Sequence, residues 1–167
     1  MSSSSDGGSL AQAALTISVS PGDAGSTCNL TSASTWSLGG GVNGTPVRNG
    51  ESEQGDLVSV GCGVRTAGGG AFQVVATIEK KGVGVLTLQG NIQSGGPSPV
   101  SANFVLEGGL GAWVQYDCTL TFPATVPDPL EAGRIWAIVE CRSATAADPS
   151  IVCDAHAELR LENCNPQ

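Results

Sequence analysis

An alternation of period two runs through most of this chain, and it constrains the fold more than any other feature. Leu15, Ile17 and Val19 alternate with Thr16, Ser18 and Ser20 before Pro21-Gly22-Asp23 interrupts. Val58, Val60, Cys62 and Val64 alternate with Ser59, Gly61, Gly63 and Arg65, and Gly68-Gly69-Gly70 ends that run. Only an extended strand places every second side chain on one face; a helix would need apolar residues three and four apart. Phe72, Val74, Ala76 and Ile78 make a further face, Lys80-Lys81-Gly82 reads as a hairpin turn, and Val83 to Gln89 returns. Val100, Ala102, Phe104 and Leu106 follow after the break at Gly95-Gly96-Pro97.

The longest alternation sets Ala112, Val114, Tyr116, Cys118, Leu120 and Phe122 on one face, with Trp113, Gln115, Asp117, Thr119 and Thr121 on the other. Pro123 to Gly133 then reads as a loop with room for one helical turn at Leu130. Two last strands carry Ile135, Ala137, Val139 and Cys141, then Ile151, Cys153, Ala155, Ala157, Leu159 and Leu161, facing inward. About eight to ten strands, each with one apolar face, predict an all-β antiparallel fold. A β-sandwich is the first expectation and a jelly roll or closed barrel the alternative. The domain is expected over 13–167, after a tail at 1–12.

Composition excludes other classes. Charged residues reach only 13% while Gly contributes 24 residues, so material for exposed helix faces is scarce. No apolar run approaches the roughly 20 residues of a membrane-spanning helix, so no transmembrane segment is expected. The net charge of −8 argues against a nucleic-acid partner.

Six cysteines, Cys28, Cys62, Cys118, Cys141, Cys153 and Cys164, contain no C-x-x-C pair, and His156 is the single histidine. Zinc and redox motifs need tighter spacing, so the reading is three disulfides and an extracytoplasmic chain: periplasmic, cell-surface or secreted. A hairpin of the last two strands could set Cys141 opposite Cys153, with side chains roughly 4.5–5.5 Å apart. Cys28–Cys62 and Cys118–Cys164 would complete that scheme. Six cysteines allow many pairings, and spacing alone does not choose among them.

Ser2-Ser3-Ser4-Ser5-Asp6-Gly7-Gly8-Ser9 resembles the spacer that follows the lipid-modified cysteine in bacterial surface lipoproteins. Met1 stands where that cysteine would be. The resemblance covers only the amino-terminal stretch and implies a surface tether with a lipid anchor in the native precursor. Separately, Tyr116-x-Cys118 resembles the end of the immunoglobulin-domain motif, which implies a sandwich. No tryptophan follows Cys62 at the expected distance, and membership of that family is not implied.

Catalytic constellations are thin. No G-x-S-x-G elbow and no phosphate-binding glycine loop occurs. His156 sits in Asp154-x-His156-x-Glu158-x-Arg160, a row that strand geometry turns outward with neighbours about 7 Å apart, too far for one metal ion to share unaided. Glu51 with Glu53, and Asp128 with Glu131, are loop acids whose separation nothing fixes; loop acids of this kind bind calcium at most. No cofactor is implied. Asn29-Leu30-Thr31 and Asn43-Gly44-Thr45 match the glycosylation sequon but arise easily in a Gly/Thr-rich chain.

The tryptophans carry the binding expectation. Trp113, opposite Tyr116 in parity, is expected to be exposed, and Trp136 to point away from Ile135 and Ala137, covered by a loop or a second sheet. An exposed aromatic on a sheet stacks on a sugar ring or anchors a protein. The expected function is therefore a non-catalytic surface or periplasmic protein that binds or assembles with a protein or polysaccharide. The alternatives are a carbohydrate-binding module using Trp113 and a small hydrolase around His156.

Overall fold

The computed structural model describes residues 8–22 and 27–165. Its elements are all strands: β1 Gln12–Ser20, β2 Ser34–Leu38, β3 Val47–Arg48, β4 Ser52–Glu53, β5 Asp56–Gly68, β6 Ala71–Lys80, β7 Gly84–Gln93, β8 Ser98–Leu106, β9 Gly111–Thr121, β10 Leu130–Glu131, β11 Arg134–Thr145 and β12 Val152–Glu162. The loop at Leu130 holds the short strand β10, paired to β11, in place of a helical turn. Among the described residues no helix is long and apolar enough to cross a membrane.

The strands make one antiparallel sheet in the order β2-β1-β12-β11-β9-β8-β7-β6-β5-β4. Short turns explain the β5-to-β9 meander: each alternating run is cut by glycines that reverse the chain, and sequential strands pair. The sheet curls until its ends nearly meet, so the architecture is the barrel alternative rather than two separate sheets. The alternation does not separate these outcomes, because both bury one face of every strand. The inward face is aliphatic, with Leu15, Ile17, Ile78, Leu86, Leu88, Phe104, Leu120 and Leu159 fully buried.

Closure falls on the free edge of β5, and separate pieces of chain complete it. Gly50 donates its amide to the Val58 carbonyl, Val58 donates to Glu51, and the Val60 amide donates to Asn49 Oδ1. Further along, Asn165 donates to the Cys62 carbonyl and Gly133 to the Val64 carbonyl. The Cys62–Cys164 disulfide crosses this seam. Each cap satisfies edge groups that would otherwise be open to another chain.

Inside the closed end, Lys80 occupies an inward position of β6 and is buried, because Glu53 follows it in: Nζ lies 2.9 Å from Glu53 Oε2 and 3.1 Å from Gln54 Oε1. Glu53 Oε1 also accepts from the Gly39 amide at 2.7 Å, so the carboxylate ties β6 to the loop after β2.

Two bulges reset the parity of the longest strands. Val100 faces Cys118 and Ala102 faces Gln115, so Tyr116 and Asp117 together oppose the single residue Ser101. On β11, Cys141 faces Ala155 and Ala144 faces Cys153, so Arg142 and Ser143 oppose Asp154. The bulges lie side by side and are bridged by Gln115, whose Oε1 accepts the Ser143 amide at 2.8 Å.

The structure corrects two expectations. Trp113 is not exposed: the extra residue on β9 turns it inward to full burial, whereas Tyr116 is 79% exposed. The cysteines pair as Cys28–Cys153, Cys62–Cys164 and Cys118–Cys141, not as Cys141–Cys153, Cys28–Cys62 and Cys118–Cys164. Cys141 misses Cys153 because the β11–β12 register sets it opposite Ala155, and Cys118 finds Cys141 across the β9–β11 pair. All six are engaged. Three disulfides fit an oxidising compartment.

β1 and β12 pair along their length, with Gln12 opposite Glu162. The Ala11 carbonyl, just before β1, accepts the Asn49 amide. The spacer expected at Ser2 to Ser9 lies, up to residue 7, outside the described residues.

Candidate functional site

On β12 the outward row is Asp154, His156, Glu158, Arg160 and Glu162, as strand alternation requires. Its neighbour β11 presents Trp136 and Ile138 outward, with Trp136 directly opposite Arg160 and Ile138 opposite Glu158. The Arg160 guanidinium lies over the Trp136 ring, 5.1 Å from its centroid. Arg160 is held in turn by Glu162, with Nε 2.6 Å from Oε1, and Gln12 Nε2 donates to the second oxygen at 2.6 Å. The indole therefore stands on the outer face in a fixed orientation, half-buried.

Two loops wall this part of the sheet. The loop after β2 brings Val42 and Asn43, and the proline-rich loop after β9 brings Pro123, Thr125, Val126 and Pro127. Between them a cleft of about 450 Å³ has Trp136, Ile138 and Glu158 as its floor. A smaller cleft of about 120 Å³ lies beyond the indole, beside Arg134, Arg160 and Glu162. Trp136 is thus the ridge between two clefts under a shared loop. Such a surface can stack a flat ligand and hydrogen-bond its rim.

The other sequence candidates are not drawn into this groove. Trp113 lies in the core, its Nε1 without a partner among the described residues, so it offers no platform to a ligand. His156 is opposite Ser18 on one side and Glu140 on the other. Its Nε2 sits 3.6 Å from Glu158 Oε1, and no hydrogen bond joins it to Ser18 among the described residues. Glu53 is engaged by Lys80, and Glu51 Oε2 accepts the Arg48 amide, so the two do not form a free carboxylate pair. Among the described residues no cluster of three or more His, Cys, Asp or Glu side chains could hold a metal ion.

The groove's walls were not legible in the sequence. The proline-rich loop and the outward row of β12 each read correctly, but their meeting depends on β9, β11 and β12 being neighbours in the sheet. No protein-family model, curated protein or solved structure matches this chain.

Proposed function

We propose that the protein is a non-catalytic extracytoplasmic binding protein that engages another macromolecule through the groove around Trp136. The observation that carries this reading is the placement of Trp136: an indole held outside the barrel by Arg160 and flanked by a cleft on each side. The barrel interior is filled by Leu15, Ile17, Phe104, Trp113 and their neighbours, which directs the reading to the outer face. Three disulfides support a periplasmic, cell-surface or secreted location.

The carbohydrate alternative loses Trp113 as its platform, since that residue is buried. The hydrolase alternative rests on His156, whose side chain is 40% exposed and, among the described residues, meets Glu158 as its charged partner. A nucleophilic mechanism needs a base hydrogen-bonded to its nucleophile.

The test is retention. Protein immobilised through its amino terminus is expected to capture a protein or polysaccharide component from an envelope extract, and the Trp136→Ala variant to release it. Equal capture by both forms, or capture by neither, overturns the reading.

A further inference from the structure

We infer that the larger cleft beside Trp136 takes an uncharged sugar ring of a polysaccharide. The inference rests on the groove being the binding surface and names the chemistry it selects.

The polar groups around the cleft are the Glu158 carboxylate, the Asn43 amide and the Thr125 hydroxyl. No lining residue is cationic. An anionic ligand would meet Glu158 without a counter-charge, on a protein of net charge −8. Arg160 does not supply that charge: it faces the second cleft, and its guanidinium is bound to Glu162.

A cationic side chain is disfavoured for a different reason. Arg160 already occupies the Trp136 ring, and a second cation on the same indole would stand close to a like charge. What remains is an uncharged ligand rich in hydroxyl donors with one apolar face. A pyranose has both: its ring C–H groups match the indole, Ile138 and Pro127, and its hydroxyls can donate to Glu158 and exchange hydrogen bonds with Asn43.

The site is also stiff. Pro123 and Pro127 limit the backbone of one wall, and Arg160 and Glu162 fix the indole before any ligand arrives. Ordering costs on binding are reduced accordingly. A volume of about 450 Å³ lies within the usual range of small-ligand sites.

Native affinity electrophoresis tests the proposal. The full chain is run through gels containing a β-glucan, an α-glucan, a xylan or a galactomannan, with alginate and a polylysine fluorescence titration as charged probes. Trp136→Ala keeps the net charge, so its mobility in a blank gel should match the wild type. We expect retardation by at least one neutral polymer, weakened about tenfold or more in Trp136→Ala. Glu158→Gln, folded and of nearly equal size, should also weaken it. Trp136→Phe keeps a stacking surface and should retain part of the binding, which separates lost stacking from a misfolded variant. No retardation by any neutral polymer overturns the sugar proposal. Trp136-dependent binding of alginate or polylysine alone overturns it too, but leaves the groove as a binding surface. Envelope-extract capture that ignores Trp136 overturns both.

Discussion

The indole Nε1 of Trp36, on β2, reaches across the barrel to the backbone of Gly84 on β7, so closely that a Cβ at Gly84 would stand 2.6 Å from it. Trp36 is almost fully buried there, and its N–H has no acceptor among the described residues. The contact therefore rests on shape rather than on a hydrogen bond, and only glycine leaves room for it. Gly84→Ala should destabilise the barrel by about 1–3 kcal/mol through overpacking, read as a lower midpoint in urea unfolding. Gly61→Ala, whose Cβ would meet nothing closer than 4.0 Å, is the matched control and should change stability little.

The closing seam should depend on its disulfide. Cys62 and Cys164 are separated by 102 residues, so reducing them frees a long loop in the unfolded chain. The Cys62→Ala, Cys164→Ala double variant should lose about 2–5 kcal/mol, and hydrogen exchange should accelerate first along β5. Peptide mapping without reduction should recover Cys28–Cys153, Cys62–Cys164 and Cys118–Cys141. A set without Cys118–Cys141 would refute the strand pairing between β9 and β11.

Lys80 and Glu53 form an ion pair with little exposure, at 6% and 21% of their side chains. Breaking it from one side leaves a charge without its partner. Glu53→Gln should cost about 2–4 kcal/mol, and added salt should do little to the wild-type pair because it is largely shielded from solvent. Lys80→Met with Glu53→Gln together should cost less than Glu53→Gln alone, measured by a double-mutant cycle.

Asp148 offers a local pH signature. Its carboxylate accepts from the Ser150 hydroxyl at 2.6 Å and the Ser150 amide at 2.9 Å, and these bonds hold its pKa below the ordinary aspartate value. A lowered folded pKa means that the turn's contribution is present above the ordinary aspartate range and is lost as pH falls through the folded value. Carbon-detected titration should place the Asp148 midpoint below that of a free aspartate, and Ser150→Ala should raise it.

Much of the barrel is legible in the sequence because its signal is local. The inward faces of β5, β6, β8 and β12 follow the alternation residue by residue, since the side-chain period and the buried face coincide. The failures begin where one inserted residue breaks the period. Tyr116-Asp117 and Arg142-Ser143 look like ordinary strand in composition, and only their partners Ser101 and Asp154 reveal two residues facing one. The slip on β9 moves Trp113 from surface to core, whereas Cys141 misses Cys153 because the β11–β12 register sets it opposite Ala155. Trp136 lies before the β11 bulge and keeps its expected parity. Lys80 was hidden for another reason: its position reads as turn, and the acid that accompanies it inward lies 27 residues away.

The pairing of β1 with β12 sets the start of the first strand and the end of the last on one rim of the barrel, with Gln12 beside Glu162. The succession of strands is therefore close to circular. A short linker across that rim would let the chain be cut anew at the exposed Gly95 turn, between β7 and β8, and the permuted protein would inherit every strand neighbour and all three cross-links of the original.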